Sequence, residues 1–351
     1  MKIVHITYLL TFGGIETMMV NIANEQVKQG HQVEIVIVEK GKIDARLLQM
    51  IDPSIKLHQA KRIPNTKDIM AVARINWFLL RARPDAIHIH ASGLMRCILL
   101  PSYRRITCST LHALPFDKNI VAIQTVPKVF AISVAVHKEL KDKYGVDSMV
   151  VPNGVHPEKI KVRNIKEKHK AFRVVMVSRL EHGKKGQDIL IDAVAELKKR
   201  GLCEVSVDLI GDGASRDFLK NRCVEKGVEA AVHFLGTKPQ EYVFEHLSDY
   251  DLFVQPSRFE GFALTVAEAM AARVPVLVAS GQGPEEVIGH GDCGYIFCNG
   301  DVKDCADKIQ QIIENGEDVA MTDRACERVW KLYNVKVTAK TYLDNYLWRR
   351  C

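Results

Sequence analysis

The chain has 351 residues, 47% of them apolar and 26% charged, the balance of a globular protein rather than a fibrous or disordered one, and its length suffices for two domains. It has no run of 18 apolar residues, and its longest apolar region, 121–136, is broken by Gln124, Pro127, Lys128 and Ser133, so no bilayer-spanning helix is expected. The net charge of +7 is uneven: residues 1–160 hold 21 Lys and Arg against 13 Asp and Glu, and the remainder holds 28 against 29.

In chain order, strand and helix patterns alternate, as in parallel α/β sheets. The first round opens with a strand over Lys2–Leu9. Its start resembles a short signal peptide, but it runs into Gly13-Gly14 and a helix without a small-residue cleavage pattern, so it is read as structure. A helix over Ile15–Gln29 ends at Gly30, as a C′ glycine requires. Strand Val33–Val38 follows, then a helix over Lys67–Arg83 and strands at Ala86–His90, Ile106–Leu111 and Lys128–Ile132. Composition shifts after Val151-Pro152-Asn153-Gly154-Val155, and the Lys-rich stretch Lys159–Lys170 is the expected linker. The second round has strand Phe172–Val177, helix Asp188–Arg200, strand Val205–Ile210, helix Arg216–Lys226 and strands Val232–Phe234 and Leu252–Val254. An Ala-rich helix and strand Pro275–Val278 complete it. A last helix, Val335–Trp348, carries Tyr342, Leu343, Tyr346, Leu347 and Trp348, enough for a buried stripe.

The basic first half suggests an anionic partner: a membrane surface, a lipid phosphate or nucleic acid. An ordinary solvated surface is the plain alternative. No DNA- or RNA-binding motif accompanies the charge, so nucleic acid is not expected. Trp77 and Phe78 of helix Lys67–Arg83 are read as core. The alternative is a membrane-surface helix, with Arg74, Arg81 and Arg83 beside them. Nine scattered cysteines without C-x-x-C suggest reduced thiols and a cytoplasmic protein. His290, Cys293 and Cys298 lack a fourth ligand and standard spacing for zinc.

The most informative stretch runs from Pro256 to Met270. Glu260 stands in a Gly-containing turn and Glu268 in a helical run eight residues on. Eight residues of helix rise about 12 Å. Carboxylates flanking one glycosidic bond in a hydrolase lie about 5–10 Å apart. The pair therefore suits two parts of one elongated ligand, with an anion on the free N–H groups of the turn between them. A nucleotide-diphosphate sugar has that form. The bland alternative is a surface acid and an ion-paired helix acid.

The stretch 177–188 leaves a strand and enters a helix, where open α/β sheets bind ligands. Arg179 offers a planar fork and Lys185 a point charge to a diphosphate; a solvated basic loop is the alternative. Gly13-Gly14 is a second strand-to-helix turn able to cradle phosphate, or simply a tight turn. His112 follows a strand. His88 and His90 share one strand face; His88 is read as a core residue and His90 is left open. Asp249-Tyr250-Asp251 has the form D-x-D, but Asp251 opens a strand, so metal is not expected there.

These segments resemble the retaining glycosyltransferases of the GT-B fold, family 4, over nearly the whole chain and most closely over Phe172–Phe297. The resemblance implies an α/β chain of two Rossmann-like α/β/α domains facing across a cleft. The domains would be residues 1–158 and 159–334, with helix 335–351 packed back on the first. It implies that Glu260 contacts the donor sugar with N–H groups of Phe262, Ala263 and Leu264, and that Glu268 contacts the ribose. Arg179 and Lys185 would hold the diphosphate, Lys185 being preferred to Lys184 because it directly precedes the glycine. Gly14 and His112 would complete the site. No metal or cofactor is implied.

The expected reaction is retaining transfer from a UDP-sugar, or from GDP-mannose, to a glycan or lipid-linked acceptor in polysaccharide or glycolipid assembly. The expected place is the cytoplasm, with peripheral contact at the inner, anionic membrane face. A nucleotide-sugar epimerase and a non-catalytic nucleotide-sugar-binding subunit stay open as alternatives. Two departures stand out. Ala263 replaces a usual Gly, adding a methyl near the donor. Arg273 replaces another, which is expected to forbid an easy positive φ and to add a cation near the cleft.

Overall fold

The structure is a computed structural model that describes all residues except 12, 42, 65, 113–117, 165–170, 203 and 347–351. The chain divides into two compact units, Met1–Gly154 with Val335–Cys351, and Val155–Asn334.

The first unit is built on seven parallel strands: β1 (Lys2–Thr7), β2 (Gln32–Glu39), β3 (Lys56–Arg62), β4 (Ala86–Ile89), β5 (Thr107–Leu111), β6 (Lys128–Ala131) and β7 (Met149–Val150). Their order is β3-β2-β1-β4-β5-β6-β7. Parallel strands are covered on both faces, so the central ones read as near-continuous apolar runs; Ile3, Val4, Ile6, Ile35 and Ile87 are fully or almost fully buried. β3, Lys-Leu-His-Gln-Ala-Lys-Arg, escaped the sequence pattern because it is a charged edge strand. Helix Gly14–Lys28 buries Met18, Met19, Val20, Ile22 and Ala23, and Gly30 beyond it takes φ +84°.

The last helix, Val335–Asn345, packs on helix Gly14–Lys28. Its Tyr342 and Leu343 are buried, as is Tyr346 just beyond it; Leu347 and Trp348 of the expected stripe lie outside the described residues. Its entry is tight, since a Cβ on Gly154 would meet Val335 Cα at 2.5 Å. Helix Ile69–Ala82 corrects one reading. Phe78 is core, against His58 at a ring separation of 3.9 Å, but Trp77 is 62% exposed. Residues along a helix turn by about 100° each. Ala71, Ile75, Phe78, Leu79 and Ala82 fill the inner face, and Trp77 is carried to the outer one with Ile69, Met70 and Leu80.

The second unit holds six parallel strands: β8 (Phe172–Val177), β9 (Val205–Ile210), β10 (Val232–Gly236), β11 (Leu252–Gln255), β12 (Val276–Ala279) and β13 (Tyr295–Phe297), ordered β10-β9-β8-β11-β12-β13. Helix Gln187–Lys199 packs Ile189, Leu190, Ala193, Val194 and Leu197 into the core with Cys305, Ala306 and Ile309 of helix Val302–Asn315. The described part of the expected linker is docked rather than loose. Lys161 N–H donates to Phe244 O at 3.0 Å, and Arg163 bridges Asp251 (2.5 Å) and Glu317 (3.0 Å). Asp251 also accepts from Arg173 N–H at 2.8 Å, so the D-x-D carboxylate is engaged within the fold. Residues 165–170 lie outside the described residues.

Arg273 departs from expectation by adopting the positive φ (+58°). It ends helix Leu264–Ala271 in a Schellman arrangement: Val274 N–H reaches Ala269 O at 3.0 Å and Arg273 N–H reaches Met270 O at 3.1 Å. Two satisfied carbonyls outweigh the crowding at one Cβ, and the guanidinium turns to Asp323 at 3.3 Å. Arg273→Gly should therefore stabilise the second unit by about 1 kcal/mol, because the left-handed penalty goes and the half-exposed ion pair contributes little. Urea unfolding checks this; a lower midpoint for the variant would contradict it.

Candidate nucleotide-sugar site

In the second sheet the connections from β8 and β11 leave in opposite directions, making the topological switch point where open α/β sheets bind ligands. The loops after these two strands are bound tightly together. Gly186 has φ +72°, and a Cβ there would lie 1.9 Å from Pro256 O, so only glycine lets the two backbones meet. Arg258 N–H and Phe259 N–H both donate to Lys184 O, at 2.9 and 3.3 Å. The Arg258 guanidinium grips Asp188 through both oxygens (2.8 and 2.7 Å) and donates to His182 O at 2.9 Å. Gln187 ties the loop from below, donating to Ser178 Oγ at 2.9 Å and Arg179 O at 2.8 Å.

This lacing places Lys185 Nζ in an ion pair with Glu260 Oε2, with 16% and 15% of the two side chains exposed. The backbone of Glu260 is held on either side: its N–H donates to Gln282 Oε1 at 3.1 Å, and its carbonyl accepts from Gly283 N–H at 3.0 Å. Arg179 is placed differently. It is 71% exposed, with Nε 3.7 Å from Glu181. The two cations read together in the sequence thus form one half-buried, paired charge and one open to solvent.

Phe262 is buried edge-on to Tyr333 (5.4 Å between centroids, 82°), which leaves its backbone as the part near the turn. Ala263 caps helix Leu264–Ala271 at φ +69°, a conformation an L side chain takes at a cost. The first two N–H groups of that helix, those of Leu264 and Thr265, precede the first bond of its opening turn, from Val266 N–H to Ala263 O at 3.1 Å. Glu268, in the helix, is 6% exposed, with Gln240 Nε2 3.4 Å from Oε1. Burial pushes its pKa up to about 7, against the smaller opposing effect of the Gln240 hydrogen bond.

Arg258, Asp188, Gln240 and Gln282 were not singled out in the sequence. Their contacts join residues 22 to 76 positions apart, a separation no local pattern marks.

Gly14 and His112 belong to the first unit. Gly14 is the exposed first residue of its helix, and a Cβ there would meet nothing within 4 Å. His112 Nε2 is 3.0 Å from His90 Nδ1, and burial lowers its pKa to about 4, so the ring is neutral near pH 7. His90 and His88 are both buried. Among the described residues, His5, His88 and His90 form a group with ligand nitrogens within 4.8 Å of one another, close enough to share a metal ion. Yet His5 Nδ1 and His90 Nε2 are already hydrogen-bonded at 2.9 Å, and both nitrogens of His88 face hydroxyls.

Comparison with known proteins identifies the family and the fold. The family model described as "Glycosyl transferases group 1" matches residues 158–328, and that described as "Glycosyltransferase Family 4" matches residues 12–159. Amylovoran biosynthesis glycosyltransferase AmsK of Erwinia amylovora is 31% identical over 172 residues, 47% of this chain and 42% of that protein. D-inositol 3-phosphate glycosyltransferase of Corynebacterium aurimucosum is 31% identical over 184 residues, 49% of this chain and 42% of that protein. The chain thus spans less than half the length of these curated relatives. Among solved structures, Anabaena Alr3699/HepE in complex with UDP superposes with a TM-score of 0.83 over 98% of this chain and 99% of that one, at 21% identity. That likeness is one of fold.

The raised pKa of Glu268 has a consequence for stability. The folded state keeps a proton that the unfolded chain loses near its ordinary value of 4.5, so stability falls as the pH rises from about 4.5 and levels off above about 7. The total is of order 3 kcal/mol. Glu268→Gln should remove that slope and be the more stable protein at pH 8. Chemical unfolding at pH 5 and pH 8 checks this, and parallel curves for the two proteins would refute it.

Proposed function

The chain belongs to the group 1, family 4 glycosyltransferases of the GT-B fold, and on that premise we propose that it transfers a sugar from a nucleotide-diphosphate donor to an acceptor hydroxyl with retention of configuration. The observation that carries this reading is the Lys185–Glu260 ion pair at the β8/β11 switch point. A donor's diphosphate replaces Glu260 as the partner of Lys185, and the released carboxylate turns to the hydroxyls of the donor sugar. Arg179, already exposed, folds onto the phosphates from solvent. Glu268 accepts from the ribose hydroxyls, and the N–H groups from Phe262 to Leu264 meet the donor between the two acids. Gly14 and His112 are assigned to donor binding by the family resemblance.

In the reaction, the bond from the anomeric carbon to the phosphate oxygen breaks. The acceptor oxygen bonds to that carbon on the same face, and its proton passes to the departing phosphate. Lys185 and Arg179 stabilise the charge that builds on the leaving group, so the reading needs no metal. UDP is the favoured nucleotide, supported by the UDP held in the Anabaena neighbour; GDP-mannose is the competitor. An acceptor in polysaccharide or glycolipid assembly is supported by the amylovoran relative.

A peripheral contact with an anionic membrane is proposed for the outer face of helix Ile69–Ala82. Ile69, Met70, Trp77 and Leu80 are all more than half exposed. They fall within about 100° of the helix circumference. Arg81 lies against the Trp77 ring at 5.6 Å, and the surrounding half of the chain is basic.

Two measurements test these readings. Calorimetric titration with UDP, GDP and ADP in EDTA should show binding of one nucleotide, lost in Lys185→Ala. Glu260→Gln should keep or tighten nucleotide affinity while turnover falls at least tenfold, because it frees Lys185 and removes the sugar contact. Loss of nucleotide binding in Glu260→Gln, or no binding by the folded wild type, would overturn the assignment. For the membrane, flotation with anionic vesicles at low salt should recover the wild type and lose Trp77→Ser/Leu80→Ser; wild type left in the bottom fraction would refute the contact.

A further inference from the structure

Behind His112 lies a line of hydrogen bonds that none of the roles above uses. Gln26, on helix Gly14–Lys28, is completely buried. Its Nε2 donates to Tyr346 Oη at 2.8 Å, which turns Oε1 toward His5 Nε2, also at 2.8 Å. From there the contacts run His5 Nδ1 to His90 Nε2 (2.9 Å) and His90 Nδ1 to His112 Nε2 (3.0 Å). The rings of His5 and His90, and of His90 and His112, stack at 5.2 and 5.3 Å with 25° between planes, so none turns without disturbing the next. Tyr346 Oη is also 2.9 Å from His88 Nδ1, whose Nε2 is 2.7 Å from Thr110 Oγ1.

A neutral imidazole has one N–H and one accepting nitrogen. Three such rings in line can be protonated in only two coherent ways, and the end of the line decides between them. We propose that Gln26 is a positioning residue that sets the tautomer of His112, holding it as the Nε2–H form with Nδ1 as the accepting nitrogen. The amide oxygen of Gln26 only accepts, so His5 carries its proton on Nε2 and accepts at Nδ1. His90 must then donate from Nε2 and accept at Nδ1, and His112 must donate from Nε2. Turning the amide over would reverse every bond and present His112 Nδ1–H instead.

Burial keeps the line neutral, with His5 and His112 lowered to about 4 and His90 held well below its ordinary value. Among the described residues, no carboxylate is hydrogen-bonded to His5, His90 or His112 to charge them. The consequence rests on the reading of His112 as a donor-site residue: its Nδ1 accepts from a hydroxyl of the donor sugar and is suited to a sugar that offers one there. A ligand atom that only accepts finds no proton at that nitrogen.

The test is the tautomeric state of the histidines, read in proton–nitrogen correlation spectra of the full chain at neutral pH, labelled at histidine nitrogen and free of donor. His5, His90 and His112 are assigned through His→Gln variants. All three should appear as the Nε2–H form. In Gln26→Met, which keeps the size but neither accepts nor donates at that point, His112 should lose its single tautomer and show both. Turnover should fall several-fold with nucleotide affinity unchanged. An Nδ1–H or mixed His112 in the wild type overturns the proposal, and so does an unchanged His112 in a folded Gln26→Met. Metal bound by His5, His88 and His90 on titration with zinc would overturn it too. If Gln26→Met does not fold, the wild-type spectrum alone decides. The spectra need no turnover, so the tautomer assignment and the glycosyl-transfer reading fail separately.

Discussion

A parallel sheet must be covered on both faces, and both sheets of this chain are wholly parallel. That constraint governs the rest of the molecule. Most side chains along the strands go into apolar layers, with His5, His88 and Thr110 as hydrogen-bonded exceptions, so most of the chemistry is left to the loops at the strand ends. In each sheet one pair of neighbouring strands sends its connections in opposite directions, β1 and β4 in the first and β8 and β11 in the second. The residues that carry chemistry gather around those pairs. Lys185 and Glu260 follow β8 and β11; the Gly13-Gly14 turn and His90 follow β1 and β4, and His112 follows the adjacent β5.

Some of the polar groups that lie deep tie distant parts of the chain together. Gln187 is wholly buried and holds Ser178 and Arg179. Gln26 is equally buried and joins Tyr346 to His5. Gln26 spans segments that are distant in sequence, whereas Gln187 ties down the loop that precedes its own helix. A buried polar group without partners costs free energy, whereas a fully paired one costs little and specifies geometry. The Lys185–Glu260 pair is of another kind. Taking two charges out of water offsets much of their attraction, so the pair contributes little net stability, and a ligand that satisfies both charges separately can part it.

Local strain sits in the same region. Ala263 holds φ +69° at the start of the helix that carries Glu268, and Arg273 holds φ +58° at its end. Both positions are ones where glycine would relax the backbone. At Arg273 the two carbonyl bonds of the helix terminus explain why the conformation survives the side chain. At Ala263 it is the approach of the turn to the helix that imposes it, since Val266 N–H is already returning to Ala263 O at 3.1 Å.

Much of this was legible in the order of residues. Strand and helix periodicity located β8 and β9 to the residue, because buried apolar runs bounded by turn residues are local signals. The spacing of Glu260 and Glu268 and the Arg…Lys-Gly loop drew attention to the ends of β11 and β8 for the same reason. The charged edge strand β3 was missed because its sequence reports its exposure rather than its pairing. Trp77 was misread because hydrophobicity says that a side chain favours burial, and only the angle around a packed helix says whether it obtains it.

What the amino-acid sequence by itself determined was the two-sheet α/β class and the residue types at the carboxyl ends of the strands. Both follow from interactions within a few residues along the chain. Tertiary structure alone decided that Lys185 pairs with Glu260 while Arg179 does not, that Arg258 clamps Asp188, and that Gln26 stands at the head of a line of imidazoles ending at His112. Those contacts close loops of 20 to 75 residues, and they depend on which strands become neighbours in the sheet.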